Sequence, residues 1–156
     1  MLDATDSEIL LALDDDPRAP VIELAARLGL ARKTVQARLG RLEERGLLRP
    51  HSQRVPPAQL GYEIDALVTV QVAQAQLEAA VEGLRGIPEV LEAQATTGDG
   101  DIICRVVARD PLDLYHVGQL ILRCQGIRRT STVVLMKDLV PYRTVPLLQH
   151  HAHRRP

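Results

Sequence analysis

Arg32, Lys33, Arg38 and Arg41 crowd one short stretch of the chain, with Thr34, Gln36 and Ala37 between them. These residue types suit one kind of chemistry. Guanidinium and ammonium groups pair with phosphates, and Arg and Gln make bidentate hydrogen bonds to guanine and adenine edges. Small residues such as Ala37 and Gly40 let a backbone approach closely. Arg18 and Thr34 fit phosphate contacts, which position a reader without specifying sequence. The other chemically capable side chains do not assemble. His51 and His116 are isolated, and His150, His151 and His153 fall in a polar, basic tail expected to be disordered. Cys104 sits at an inward strand position and reads as a small core hydrophobe, whereas Cys124 ends a helix. The chain has no Ser/His/Asp order, phosphate-binding glycine loop or metal-ligand spacing. No catalytic residue, metal or cofactor is therefore expected, and an enzyme is disfavoured.

The basic stretch needs a rigid carrier, and the flanking residues supply one. Thr5 or Asp6 can cap a helix through Ile9, Leu10 and Leu13, which Asp14-Asp15-Asp16-Pro17 ends. Val21, Leu24, Ala25 and Leu28 fall at i, i+3, i+4 and i+7, a second amphipathic helix closed by Gly29. After the short Leu30-Ala31 connection, Val35, Leu39 and Leu42 stripe a third helix that Gly46 closes. Two helices joined by a tight glycine-containing turn form a helix-turn-helix, whose second helix normally enters the major groove. Here that helix is the basic one. Residues 27–54 carry eight positive and two negative side chains, whereas residues 1–26 carry one positive and seven negative. The segregation points to a nucleic-acid contact surface. Pro50 to Pro57 reads as a hinge or wing strand.

The second half has a different period. Ile64, Ala66, Val68, Val70 and Val72 alternate as a strand, and Leu77, Ala80, Val81 and Leu84 repeat as a helix. Glu89–Thr97 and Ile102–Ala108 read as strands joined by the tight turn Gly98-Asp99-Gly100-Asp101. Asp110-Pro111 opens another helix, ended by Gly126, and Thr130–Met136 forms the last strand. The order β-α-β-β-α-β is the ferredoxin-like arrangement, one antiparallel sheet with both helices on one face. Leu67, Ile103 and Val107 fall on the opposite face and predict that a second copy covers it. The predicted class is thus α+β: a winged helix-turn-helix over 1–50, a linker over 51–63, a ferredoxin-like domain over 64–140 and a tail over 141–156.

Composition narrows the choices. The 156 residues carry a net charge of −1 and are 46 % hydrophobic, so a largely disordered chain is excluded. With three Tyr and no Trp or Phe, and no aromatic in the strands, the sheet cannot stack bases as RNA-binding sheets do. The acidic start is no secretory signal, and no apolar run approaches the ~18 residues of a spanning helix. A soluble, cytoplasmic protein with no membrane partner is expected.

One family joins these parts. Leu2-Asp3-x-x-Asp6-x-x-Ile9-Leu10, Arg18, Glu23-Leu24-Ala25-x-x-x-Gly29-Leu30 and Val35-x-x-Arg38-Leu39-x-Arg41-Leu42-Glu43-x-x-Gly46-Leu47-Leu48 resemble the reader of the Lrp/AsnC, or feast/famine, transcription regulators. Thr97-Gly98-x-x-Asp101 and Gly126-Ile127-x-x-Thr130-x-Thr132-Val133-Val134 are similar to that family's effector domain. Two departures stand out: Ala31 where a capping Ser is usual, and Pro50-His51 where Gly-Tyr is usual. The resemblance implies a sequence-specific regulator on a pseudo-palindromic double-stranded DNA operator, a homodimer or an octamer of four dimers, and an amino-acid effector near the central hairpin. It places the effector against Thr96, Thr97, Gly98, Asp99, Gly100, Asp101, Thr132 and Val134. There Asp99 or Asp101 could pair with the α-ammonium, and the Gly98 and Gly100 N–H groups could hold the α-carboxylate. Gly100 replaces a frequent aromatic and implies a wider pocket or a weaker subunit contact. The alternative is an oligomeric effector sensor that acts through a protein partner instead of DNA.

Overall fold

The computed structural model describes residues 2–48 and 55–153. Of the hinge or wing strand expected over Pro50 to Pro57, residues 50–54 lie outside the described residues, and a short 3-10 helix, Pro57–Leu60, begins at its end. The chain divides into two units, Met1–Arg54 with Val140–Pro156, and Val55–Leu139.

The first unit holds α1 (Ala4–Asp15), α2 (Val21–Leu28), α3 (Arg32–Glu44) and, from the far end of the chain, α6 (Val145–His153). Asp3 caps α1, where Thr5 or Asp6 was expected. Its carboxylate accepts from the Asp6 N–H at 2.8 Å, and the Asp6 side chain accepts from the Asp3 N–H at 3.2 Å. Two orphan donors of the first turn are thus satisfied reciprocally. Gly29 ends α2 at φ 65°, and the Leu30 N–H reaches back to the Ala25 carbonyl at 2.9 Å. That six-residue closure needs a left-handed residue and makes the turn into α3 tight. Ala12, Leu24, Ala25 and Val35 form the buried core, with Leu28 and Leu39 packed on it.

The tail corrects an expectation. Residues 145–153 are a helix, not a disordered end. It is the most extensive packing partner of α1, and His151 Nδ1 lies 3.1 Å from the hydroxyl of fully buried Ser7.

The second unit runs β1 (Ile64–Val72), α4 (Leu77–Arg85), β2 (Val90–Ala95), β3 (Ile102–Ala108), α5 (Pro111–Leu122) and β4 (Ile127–Leu135). The sheet order is β2-β3-β1-β4, antiparallel throughout, the ferredoxin-like order. β2 is shorter than expected, and a bulge between Val90 and Glu92 interrupts its ladder with β3. β4 begins at Ile127, three residues early: its pairing with β1 continues past a second irregularity at Gln71/Val72.

Register decides which side chains share a face. Ala66, Val68 and Val70 of β1 join Ile102, Cys104 and Val106 of β3 in the core beneath Leu84, Val117 and Ile121 of the helices. Burial raises the Cys104 thiol to about 11, so it stays protonated as a core group at neutral pH. On the opposite, outer face Leu67 pairs with Arg105 and Val133, and Thr69 with Ile103 and Ser131.

Candidate nucleic-acid interface and ligand cleft

Helix α3 turns Val35 and Leu42 inward, leaving them 0 % and 1 % exposed. Arg32, Lys33, Thr34, Gln36, Ala37 and Arg41 stand on its exposed surface, and Arg18 is exposed in the turn before α2. None of Arg18, Arg32, Lys33 or Arg41 has an ion-pair partner among the described residues. The face is thus a row of hydrated cations with one amide and one hydroxyl, the donor set that phosphates and purine edges accept. Ala31 gives α3 no side-chain cap.

Arg38 departs from the expected row. Its Nη1 donates to both Asp3 carboxylate oxygens at 2.6 Å and to Asp6 Oδ1 at 2.7 Å. Its side chain is only 19 % exposed and that of Asp6 9 %. The guanidinium thus clips α3 onto the capping box of α1. The Arg38 hydrogen bond holds the Asp3 carboxyl below the usual carboxylate range, and Asp3 in turn raises the guanidinium. The signal was in the spacing. Residues 35, 38, 39 and 42 follow i, i+3, i+4 and i+7, so Arg38 belongs to the packed face.

The central hairpin is pinned to β1. Asp101 N–H donates to the Val70 carbonyl at 2.9 Å, and the Asp101 carboxylate accepts from Val72 N–H at 2.7 Å. Thr96 donates its hydroxyl proton to the Gly100 carbonyl at 2.8 Å, and Gln71 donates to the Asp99 carbonyl at 2.6 Å. Gly98 takes φ 113°, a conformation that favours glycine. Gly100 does not widen a pocket: a Cβ there would lie 2.2 Å from the Thr69 methyl. Glycine is present because the turn lies flat on β1. Thr96, Thr97, Gly98, Asp99 and Asp101 are all exposed, whereas Gly100 is buried.

Beside this hairpin, on the outer face of the sheet, lies an open cleft of about 570 Å3 lined by Thr69, Gln71, Asp99, Arg129, Thr130 and Ser131. Asp99 is the one lining residue that the sequence had placed at a ligand site. Thr132 and Val134 pair with Val68 and Ala66, so they face the helix side and leave the cleft. Thr69, Gln71, Arg129 and Ser131 escaped sequence reasoning because only the β1–β4 register sets Thr69 opposite Ser131 and Gln71 opposite Arg129.

A helix-turn-helix with an exposed cationic face, carried on the same chain as a ferredoxin-like unit with a polar cleft, defines a ligand-responsive DNA-binding regulator. Known proteins agree with that class. Residues 2–49 match the winged helix-turn-helix DNA-binding family and residues 65–145 the Lrp/AsnC ligand binding domain. The transcriptional regulator FL11 of Pyrococcus horikoshii is 29 % identical over 136 residues, covering 87 % of this chain and 90 % of FL11. The E. coli AsnC structure aligns with a TM-score of 0.83 at 27 % identity, over 94 % of this chain and 99 % of AsnC. The feast or famine regulatory protein of M. tuberculosis, solved with L-methionine, aligns at 0.79 and 28 % identity, over 92 % of this chain and 97 % of the other. The chain belongs to the Lrp/AsnC family of transcriptional regulators. Among the described residues no helix is long and apolar enough to cross a membrane.

Proposed function

We propose that this regulator reads double-stranded DNA with the exposed face of α3. Arg32, Lys33, Gln36 and Arg41 reach base edges and phosphates, Thr34 and Arg18 hold the backbone, and Ala37 allows close approach. Arg38 is reassigned to holding α3 against α1. The observation that supports this is the row of unpaired cations on the helix that follows the Gly29 turn.

An amino-acid effector binds in the cleft beside the hairpin, where the Asp99 carboxylate suits an ammonium and the Arg129 guanidinium a carboxylate. Thr96, Thr97, Gly98, Gly100 and Asp101 shape and pin the turn that presents Asp99. The L-methionine held by the M. tuberculosis relative supports an amino acid as the ligand class. Two copies pair through the apolar part of the outer face, where Val133 is 59 % exposed beside Leu67. Pairing sets two α3 helices on successive major grooves of a pseudo-palindrome, in a dimer or an assembly of dimers. The protein acts in the cytoplasm, where its operator lies.

A gel shift on the DNA upstream of the gene tests the reading. Preferential binding over random duplex, altered by at least one of the twenty amino acids, is expected. Equal binding to both duplexes in low salt would reject it.

A further inference from the structure

The cleft also carries information about which amino acid it takes. Its six lining residues are two Thr, one Ser, one Gln, one Asp and one Arg, with no aliphatic or aromatic side chain among them. Thr69 and Ser131 stand opposite each other across the β1–β4 ladder, as do Gln71 and Arg129, so the floor is a patch of hydroxyl, amide and guanidinium groups. Arg129 has no ion pair among the described residues. Gln71 spends one amide N–H on the Asp99 carbonyl at 2.6 Å, which braces the wall against the floor. The apolar part of the same face, Leu67 with Val133, lies at other register positions and outside the cleft.

We infer that the cleft selects an amino acid with an uncharged polar side chain, an amide or a hydroxyl, over an aliphatic or thioether one of similar size. The inference rests on the reading that the effector site is this cleft. The lone guanidinium and the lone carboxylate of the lining match the two charges of the zwitterion. What remains for the side chain is Thr69, Gln71 and Ser131, whose side chains share the outer face and can donate and accept hydrogen bonds, while Thr130 pairs with core Val70 and faces the helix side. An aliphatic side chain would strip water from these groups and return no hydrogen bond. A site built to hydrogen-bond its ligand rejects the apolar analogue far more strongly than a greasy pocket rejects a polar one.

Three near-isosteric pairs test this on the full-length protein by titration calorimetry: threonine against valine, asparagine against leucine, and glutamine against methionine. The expected result is that at least one polar member binds, and binds at least about tenfold tighter than its apolar partner. Ser131→Val should narrow that ratio, and Arg129→Gln should weaken every amino acid that binds. If the apolar members bind as tightly or tighter, the inference falls while the amino-acid reading stands. If an amino acid binds with affinity unmoved by both substitutions, the ligand lies elsewhere and the cleft assignment falls. If none of the twenty binds, both fall.

Discussion

The clip between Arg38 and the two aspartates decides how the basic helix is divided. A guanidinium that donates to two carboxylates and is four-fifths covered has little left for DNA. Arg38→Met should therefore destabilise the N-terminal unit by about 1–3 kcal/mol, chiefly by stranding nearly buried Asp6. DNA affinity per folded molecule should hold within about twofold, and its salt dependence should stay unchanged. Denaturant melts and anisotropy titrations check the two halves separately. The pH dependence follows from the same ion pair. The Asp3 carboxyl lies below its ordinary 3.8 in the folded chain. Its contribution is therefore complete above about pH 5 and is lost as pH falls through the folded value. The wild-type protein should lose more stability between pH 5 and pH 2 than Arg38→Met does; equal losses in pH-dependent melts would contradict the clip. Counting charge by segment hides this role of Arg38. The helical spacing already sets it beside the core stripe, and the acidic Asp3 and Asp6 are there to receive it.

Elements were legible where period and punctuation agreed. The stripes at 21–28 and 35–42, the glycines that end them and the β-α-β-β-α-β order all match the observed helices and strands. Two things were not legible. Strand register cannot be read from alternation alone, since a two-residue slide preserves the faces while changing every partner. The polar cleft is made by register, so five of its six lining residues (Thr69, Gln71, Arg129, Thr130 and Ser131) were not foreseen, and Thr132 and Val134, expected at a ligand site, fall on the helix side of the sheet. The second was α6. Its stripe of Val145, Leu148 and Ala152 at i, i+3 and i+7 is short, and the three histidines around it suggested a solvated end. In the fold this helix covers α1 and reaches buried Ser7. A chain stopped after Thr144 should lose on the order of 2–3 kcal/mol of stability in the N-terminal unit, from apolar burial withdrawn along α1. Faster amide exchange in α1 with unchanged exchange in β1 and β3 is the expected signature. Equal protection of α1 with and without α6 would contradict it.

At the scale of the molecule, one sheet face has two characters. Leu67 and Val133 make its apolar part, whereas Thr69, Gln71, Arg129 and Ser131 make the polar part that lines the cleft. Pairing of two copies should depend on the first and ligand capture on the second. Leu67→Asp sets a charge against Val133 and should turn a dimer or larger species into a monomer in sedimentation at micromolar concentration. Operator affinity should fall with it, by about tenfold or more, because two linked readers become one. A monomeric wild type under the same conditions would contradict the pairing.

Regulation by this chain depends above all on α3 being the surface that meets DNA. The sharpest test is the slope of log affinity against log salt for the upstream duplex, compared between the wild type and single Arg32→Ala, Lys33→Ala and Arg41→Ala variants, with Arg38→Met beside them. Removing a cation that neutralises a phosphate should flatten the slope by about 0.9 per site, and Arg38→Met should leave it alone. Slopes that stay parallel for Arg32, Lys33 and Arg41 but flatten for Arg38 would show that the exposed face of α3 is not the reader.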